Sequence, residues 1–94
     1  MKVLIKTPND EEKEIMGKCK IWEHKAGVFD WEYKDKQETC LIIKGKASVI
    51  GKGEQVEYFF KEGDLVTFPT NWNCQWRITE DMKKYFIFDH DFSK

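Results

Sequence analysis

Over most of its length the chain alternates apolar and polar positions with a period of two, the pattern of strands with one buried face. Phe29, Trp31 and Tyr33 alternate with Asp30, Glu32 and Lys34. Cys74, Trp76 and Ile78 alternate in the same way with Gln75, Arg77 and Thr79. Two other stretches, 39–43 and 58–60, are mostly apolar at consecutive positions, so both of their faces must be covered. Leu41 and Ile43 therefore call for an outer layer. The N-terminal strand, the C-terminal strand or a second subunit can supply it, and a homodimer is the preferred cover.

Turn residues cut the chain into short pieces. Strands are expected over 3–5, 19–24, 28–34, 38–44, 47–50, 55–61, 65–68, 74–79 and 82–89. They are separated by Lys25-Ala26-Gly27, Lys34-Asp35-Lys36, Gly45-Lys46, Gly51-Lys52-Gly53-Glu54, Glu62-Gly63-Asp64 and Pro69-Thr70-Asn71. The one helical signal covers 11–16. Asn9 or Asp10 is its cap, acids fill its first turn, and Gly17 ends it. Many short strands with frequent turns and almost no helix predict a sandwich or barrel.

Ninety-four residues make one domain, 1–94. A chain this short needs an efficient core, and an aromatic content of 15% supplies large side chains for it. Sixteen basic and 17 acidic residues nearly cancel, which argues against nucleic-acid binding. No stretch has the length of a signal peptide or a membrane span, so no membrane partner is expected. Three cysteines, Cys19, Cys40 and Cys74, form no paired set. A soluble, cytoplasmic, thiol-reduced protein is the expectation.

Two spacings then stand out. Glu38 and Gly45 have six residues between them, after an aromatic strand. Gly63 and Pro69 have five between them, followed by Asn71 and Cys74. In these motifs the chain resembles the cupin superfamily, over about residues 22–88. The first cupin motif runs His, any, His, three or four residues, Glu, six residues, Gly. The second runs Gly, five residues, Pro, any, Gly, two residues, His. Within that superfamily it looks like the small single-domain cupins related to EutQ and to the cupin of ureidoglycine aminohydrolase. The resemblance implies an all-β, cupin-type double-stranded β-helix, a jelly-roll barrel with at most a short N-terminal helix. It also implies where a metal would sit, and here the chain departs. The motif-one histidine positions fall on Trp31 and Tyr33, and the motif-two histidine position falls on Cys74. Asn71 stands for the second glycine and tolerates the same positive φ. No cofactor is predicted; a divalent transition metal at Glu38 and Cys74 is the disfavoured alternative.

Alternation puts Phe29, Trp31, Tyr33, Glu38, Cys40, Cys74 and Trp76 on inward faces. A carboxylate among rings loses hydration unless a donor compensates. Glu38 is thus either an acid/base or ligand anchor, or a structural acid bonded to Tyr33 or to a cation such as Arg77. Cys74 is a soft metal ligand, a nucleophile or, most simply, a small core residue; Cys40 is core. Trp31, Tyr33 and Trp76 either form a stacking platform or fill the barrel. His24 and His90 are surface or rim residues. Lys44, Lys46, Lys83 and Lys84 are solvated edge charges. Trp72 is expected to be exposed, as a lid or a subunit contact.

The preferred function is metal-independent binding of a small ligand with an apolar face and a polar or cationic group. Trp31 and Trp76 would stack, Tyr33 would hydrogen-bond, Glu38 would anchor, and Cys74 borders the site. The alternative is a cupin enzyme of isomerase or amidohydrolase type with Glu38 as acid/base. A third is a vestigial cupin serving as a structural or regulatory partner.

Overall fold

The computed structural model describes residues 3–90. It contains β1 (Leu4–Lys6), α1 (Asp10–Met16), β2 (Lys20–His24), β3 (Gly27–Tyr33), β4 (Glu38–Gly51), β5 (Glu57–Lys61), β6 (Leu65–Phe68) and β7 (Trp72–Phe88). All pairings are antiparallel.

Two long strands organise the molecule. The first half of β4 pairs with β6 and with the end of β7, in the order β1-β6-β4-β7-β2. The second half of β4 pairs with β5 and with the start of β7, which in turn carries β3. β4 and β7 therefore run through two leaves and fold them face to face, giving the all-β jelly roll. This corrects the expected strand boundaries: Gly45-Lys46 is not a turn, and neither the 80–81 region nor Trp72-Asn73 interrupts β7.

The reason lies at Gly45. It adopts φ +103°, and the β4–β7 register shifts around it. Such a bulge bends a strand without ending it and changes which parity faces inward. Before Gly45 the buried positions include Cys40 and Ile42; after it they include Ala47 and Val49. β7 keeps one parity throughout, burying Trp72, Cys74, Trp76, Ile78, Met82 and Lys84. Between the leaves, Phe68 and Trp76 pack at 5.3 Å between ring centroids. Burying a ring such as Phe68 is worth about 2–3 kcal/mol.

On the outside of the sheet α1 packs on β4 and β7 and buries Met16 completely, while Leu41 and Ile43 of β4 remain half-buried. Asn9 rather than Asp10 is the helix cap: Asn9 Oδ1 accepts from the Glu12 N–H and Glu12 Oε1 accepts from the Asn9 N–H, both at 2.8 Å. Gly17 closes it as expected. Asn71 has φ 54°, as its place in the second motif requires. Trp72 is buried, contrary to expectation, and its indole N–H donates to Glu54 Oε2 at 2.6 Å. It braces the loop after β4 instead of capping a mouth.

Candidate functional site

A cavity of about 220 Å³ lies between the leaves. Its walls are Trp22 from β2, Phe29 and Trp31 from β3, and Trp76, Phe86 and Phe88 from β7. Strand alternation aims these rings at one space: Phe29 and Trp76 are cross-strand partners and lie parallel at 6.1 Å. Trp31 meets Phe29 edge-on. Trp31 and Phe88 are 47% and 46% exposed, so the cavity opens to solvent between them.

Three polar side chains line it: Tyr33, Glu38 and Lys84. Lys84 is the surprise. It is only 4% exposed, so the reading of it as a solvated edge charge is wrong. Its Nζ lies 3.5 Å from Glu38 Oε1 and donates to Cys40 Sγ at 3.1 Å. The same ammonium sits 4.7 Å from the ring centroids of both Trp22 and Trp76, a double cation–π contact. Burial pulls its pKa down, but Cys40 and Glu38 outweigh that and hold it above the ordinary lysine value. A sequence signal existed, because Lys84 shares parity with Met82, Phe86 and Phe88. Of the other three lysines read as edge charges, Lys44 and Lys46 are exposed, Lys46 bridging to Glu80, and Lys83 is half-buried.

Glu38 is 6% exposed. Its cation is Lys84; Arg77 pairs instead with Glu57 at 3.5 Å. Tyr33 is not its hydrogen-bond partner either. The Tyr33 hydroxyl is buried without a hydrogen-bond partner. Burial first, then the nearby Glu38 charge, pushes its pKa well above the phenol value. The Trp76 indole pulls weakly the other way without reaching hydrogen-bond geometry. Tyr33 is thus a fixed donor, its ring held parallel to Phe68 at 5.1 Å and to Trp72 at 6.4 Å.

Trp31, Tyr33, Glu38 and Trp76 therefore come together around one cavity, and Cys74 does not join them. It is the cross-strand partner of Trp31 and, like Cys40, fully buried. Burial pushes both thiols up to about 12, so both are protonated at neutral pH. Neither is a ready nucleophile.

The residues at the family's ligand positions do not fit a metal. Trp31 offers no ligand atom, Cys74 lies outside the cavity lining, and an ammonium stands against Glu38. Among the described residues no three His, Cys, Asp or Glu side chains form a ligand cluster. His24 is a rim residue, stacked on Trp22 at 5.2 Å and near Phe29 at 4.6 Å, outside the cavity lining. His90 is half-buried beyond β7, where its carbonyl accepts from the Gln37 side chain. Among the described residues no helix is long and apolar enough to cross a membrane.

Known proteins share this fold. A structure of a DUF861 family protein from Thermotoga maritima shares 39% identity, covering 92% of this chain and 98% of that one, with a TM-score of 0.83. A protein of unknown function (DUF1255) from Acidithiobacillus ferrooxidans is 18% identical and shares the fold alone. It covers 69% of this chain and 60% of that one, with a TM-score of 0.64. A search of curated proteins finds no match. The EutQ-like cupin domain family matches residues 11–86, which spans both motifs and the Lys84 that completes the cavity, and the chain belongs to that family.

Proposed function

We propose that the protein is a metal-independent binding domain for a small ring-bearing molecule, held in the cavity between Trp31 and Trp76. The observation that carries this reading is an apolar cavity of about 220 Å³ with two half-exposed rings at its mouth and a polar cluster inside. A barrel filled by its own tryptophans would have left no such space. An apolar cavity of about 150 Å³ already accepts a benzene ring. This one takes a single ring with a short substituent, below the drug-sized range of about 300 Å³ and more. Trp31 closes over the ligand, Trp76 supplies the inner wall, and the Tyr33 and Glu38–Lys84 groups set its orientation. The protein works in the cytoplasm, where its three thiols stay reduced, and as a homodimer, in which the second subunit would cover the half-buried Leu41 and Ile43.

Three of the four tryptophans line the cavity, so they report on it. Titration with a panel of single-ring molecules, followed by tryptophan fluorescence and indole N–H resonances, should shift Trp22, Trp31 and Trp76 while leaving Trp72 in place. Trp31→Ala should weaken each response at least fivefold, since stacking contributes about 1 kcal/mol. A panel that perturbs none of the three overturns the reading.

A second reading has its own support. Glu38, Lys84 and the Tyr33 hydroxyl bring a carboxylate, an ammonium and a phenol to one cavity, the equipment of an acid/base enzyme of the isomerase or amidohydrolase kind. Turnover of a bound panel member, abolished by Glu38→Gln, would favour it. A stoichiometric transition metal in protein purified without chelator would move the reading the same way.

A further inference from the structure

We propose that the ligand is an uncharged single-ring molecule bearing one hydrogen-bond acceptor, a carbonyl oxygen, which takes the Tyr33 hydroxyl. The inference rests on the binding reading above and narrows it to a ligand class.

It follows from the charges already in the cavity. Lys84 and Glu38 face each other at 3.5 Å, one of each sign, and Cys40 beside them is a neutral thiol. The cavity is therefore electrically balanced before any ligand arrives. A cationic ligand would have to displace the Lys84 ammonium from Glu38, and that ammonium is also held between the faces of Trp22 and Trp76. An anionic ligand would meet the Glu38 carboxylate and leave one negative charge uncompensated among rings. Either charged ligand loses its hydration with nothing to replace it, a cost that buried ions meet only when paired.

One polar group in the cavity is unmatched. Tyr33 lines the cavity, is only 3% exposed, and its hydroxyl has no hydrogen-bond partner. A buried O–H without a partner is costly, and a ligand acceptor that satisfies it recovers that cost on binding. Lys84 has one further N–H donor on the same lining beyond those directed at Glu38 and Cys40. A donor surface of this kind selects an oxygen acceptor. It discriminates against the same ring without one, because that ring leaves the hydroxyl unpaired.

The test is a charge and acceptor series on one ring: acetophenone, toluene, benzoate and benzylammonium, titrated against the intact protein by isothermal calorimetry and indole resonances. Acetophenone should bind most tightly, with toluene, benzoate and benzylammonium each about tenfold or more weaker, the ratio one hydrogen bond supplies. Tyr33→Phe should bring acetophenone down to the toluene value and leave toluene binding unchanged. The toluene arm shows that the variant cavity is intact. Tighter binding of benzylammonium or benzoate than of acetophenone overturns the ligand class while leaving the binding reading standing. Equal binding of acetophenone and toluene, or a Tyr33→Phe variant that keeps the difference, does the same. Failure of all four probes to bind overturns both.

Discussion

The Lys84 ammonium lies 3.5 Å from the Glu38 carboxylate, with 5% and 9% of the two side chains exposed, in a cavity otherwise walled by rings. Each ion is tolerable there because of the other. Glu38→Gln should cost about 3 kcal/mol, at the low end for breaking a buried pair because the cavity opens to solvent. Lys84→Met should cost a similar amount. The double variant should be more stable than either single one, since it strands no charge, and urea unfolding of the four proteins gives the coupling directly. Simple additivity would show that the pair does not act as a unit.

The same pair fixes the alkaline behaviour. The folded pKa of Lys84 lies above the ordinary lysine value, chiefly because its two neighbours outweigh burial. A raised lysine contributes stability that is complete below the unfolded value, about 10.4, and is lost only as pH rises through the folded value. Wild-type stability should therefore be insensitive to this group from pH 7 to 9. A loss of stability in that range that Lys84→Met removes would contradict the assignment of Lys84 as a charged partner.

Cys40 and Cys74 are fully buried with thiol pKa values of about 12, raised first by burial. Cys19 is half-buried, and its thiol contacts the Ile15 carbonyl at the end of α1 at 3.4 Å. At pH 8 only about one in ten thousand of the two buried thiols would be ionised even if a reagent could reach them. A disulfide reagent should modify one thiol per native chain, at Cys19, and three after denaturation. Rapid modification of Cys74 in the native protein would reopen its candidacy as a nucleophile.

Much of this site is visible in the sequence, because strand parity survives folding. Alternation places Trp31, Tyr33, Glu38 and Trp76 inward, and the fold puts all four on one cavity. Lys84 obeys the same parity, but its residue type points the other way: lysine usually marks solvent, and only the Glu38 partner 46 positions away reverses that. Trp72 is a similar case. Its Glu54 acceptor sits in a loop that no periodicity describes. The packing of α1 on the sheet is hidden because seven residues show little amphipathic pattern, although Met16 is fully buried. The turn expected at Gly45 was half right: the glycine does change the chain's direction, but as a bulge inside a continuous ladder.

Gly45 carries that bulge, and its backbone is tightly opposed. At φ +103° an added Cβ would run into the carbonyl oxygens of Asp81 and Glu80 on β7. Backbone atoms cannot move aside cheaply, and the positive φ adds its own strain. Gly45→Ala should lower stability by about 2–4 kcal/mol. Because the bulge sets which parity of β4 faces inward, indole resonances of Trp76, the cross-strand partner of Val49, should shift as well. Gly53 has a positive φ with open space around it, so Gly53→Ala should cost only the conformational strain of about 1 kcal/mol. Equal losses at the two positions would mean that contact with β7 is unimportant.

The cap of α1 predicts an acid dependence. Glu12 Oε2 pairs with Lys6 Nζ at 2.5 Å while Oε1 accepts the Asn9 N–H. The Lys6 contact first, then the Asn9 bond, holds the carboxyl below its ordinary value, against a smaller opposing effect of burial. A depressed carboxyl contributes stability that is present above the unfolded value, about 4.3, and is lost as pH falls through the folded value. Glu12→Gln keeps a side-chain oxygen for the Asn9 N–H but loses the ionic part. The variant should be less stable than wild type at pH 7 and should match it once the pH is below the folded pKa. Asn9→Ala removes the other half of the box and should cost about 1 kcal/mol at every pH, since no titrating group is lost. Thermal melts of the three proteins from pH 2 to 7 separate the two effects. A constant gap between wild type and Glu12→Gln across that range would assign the cap's contribution to hydrogen bonding alone and remove the charge from the account of how α1 is held over β4.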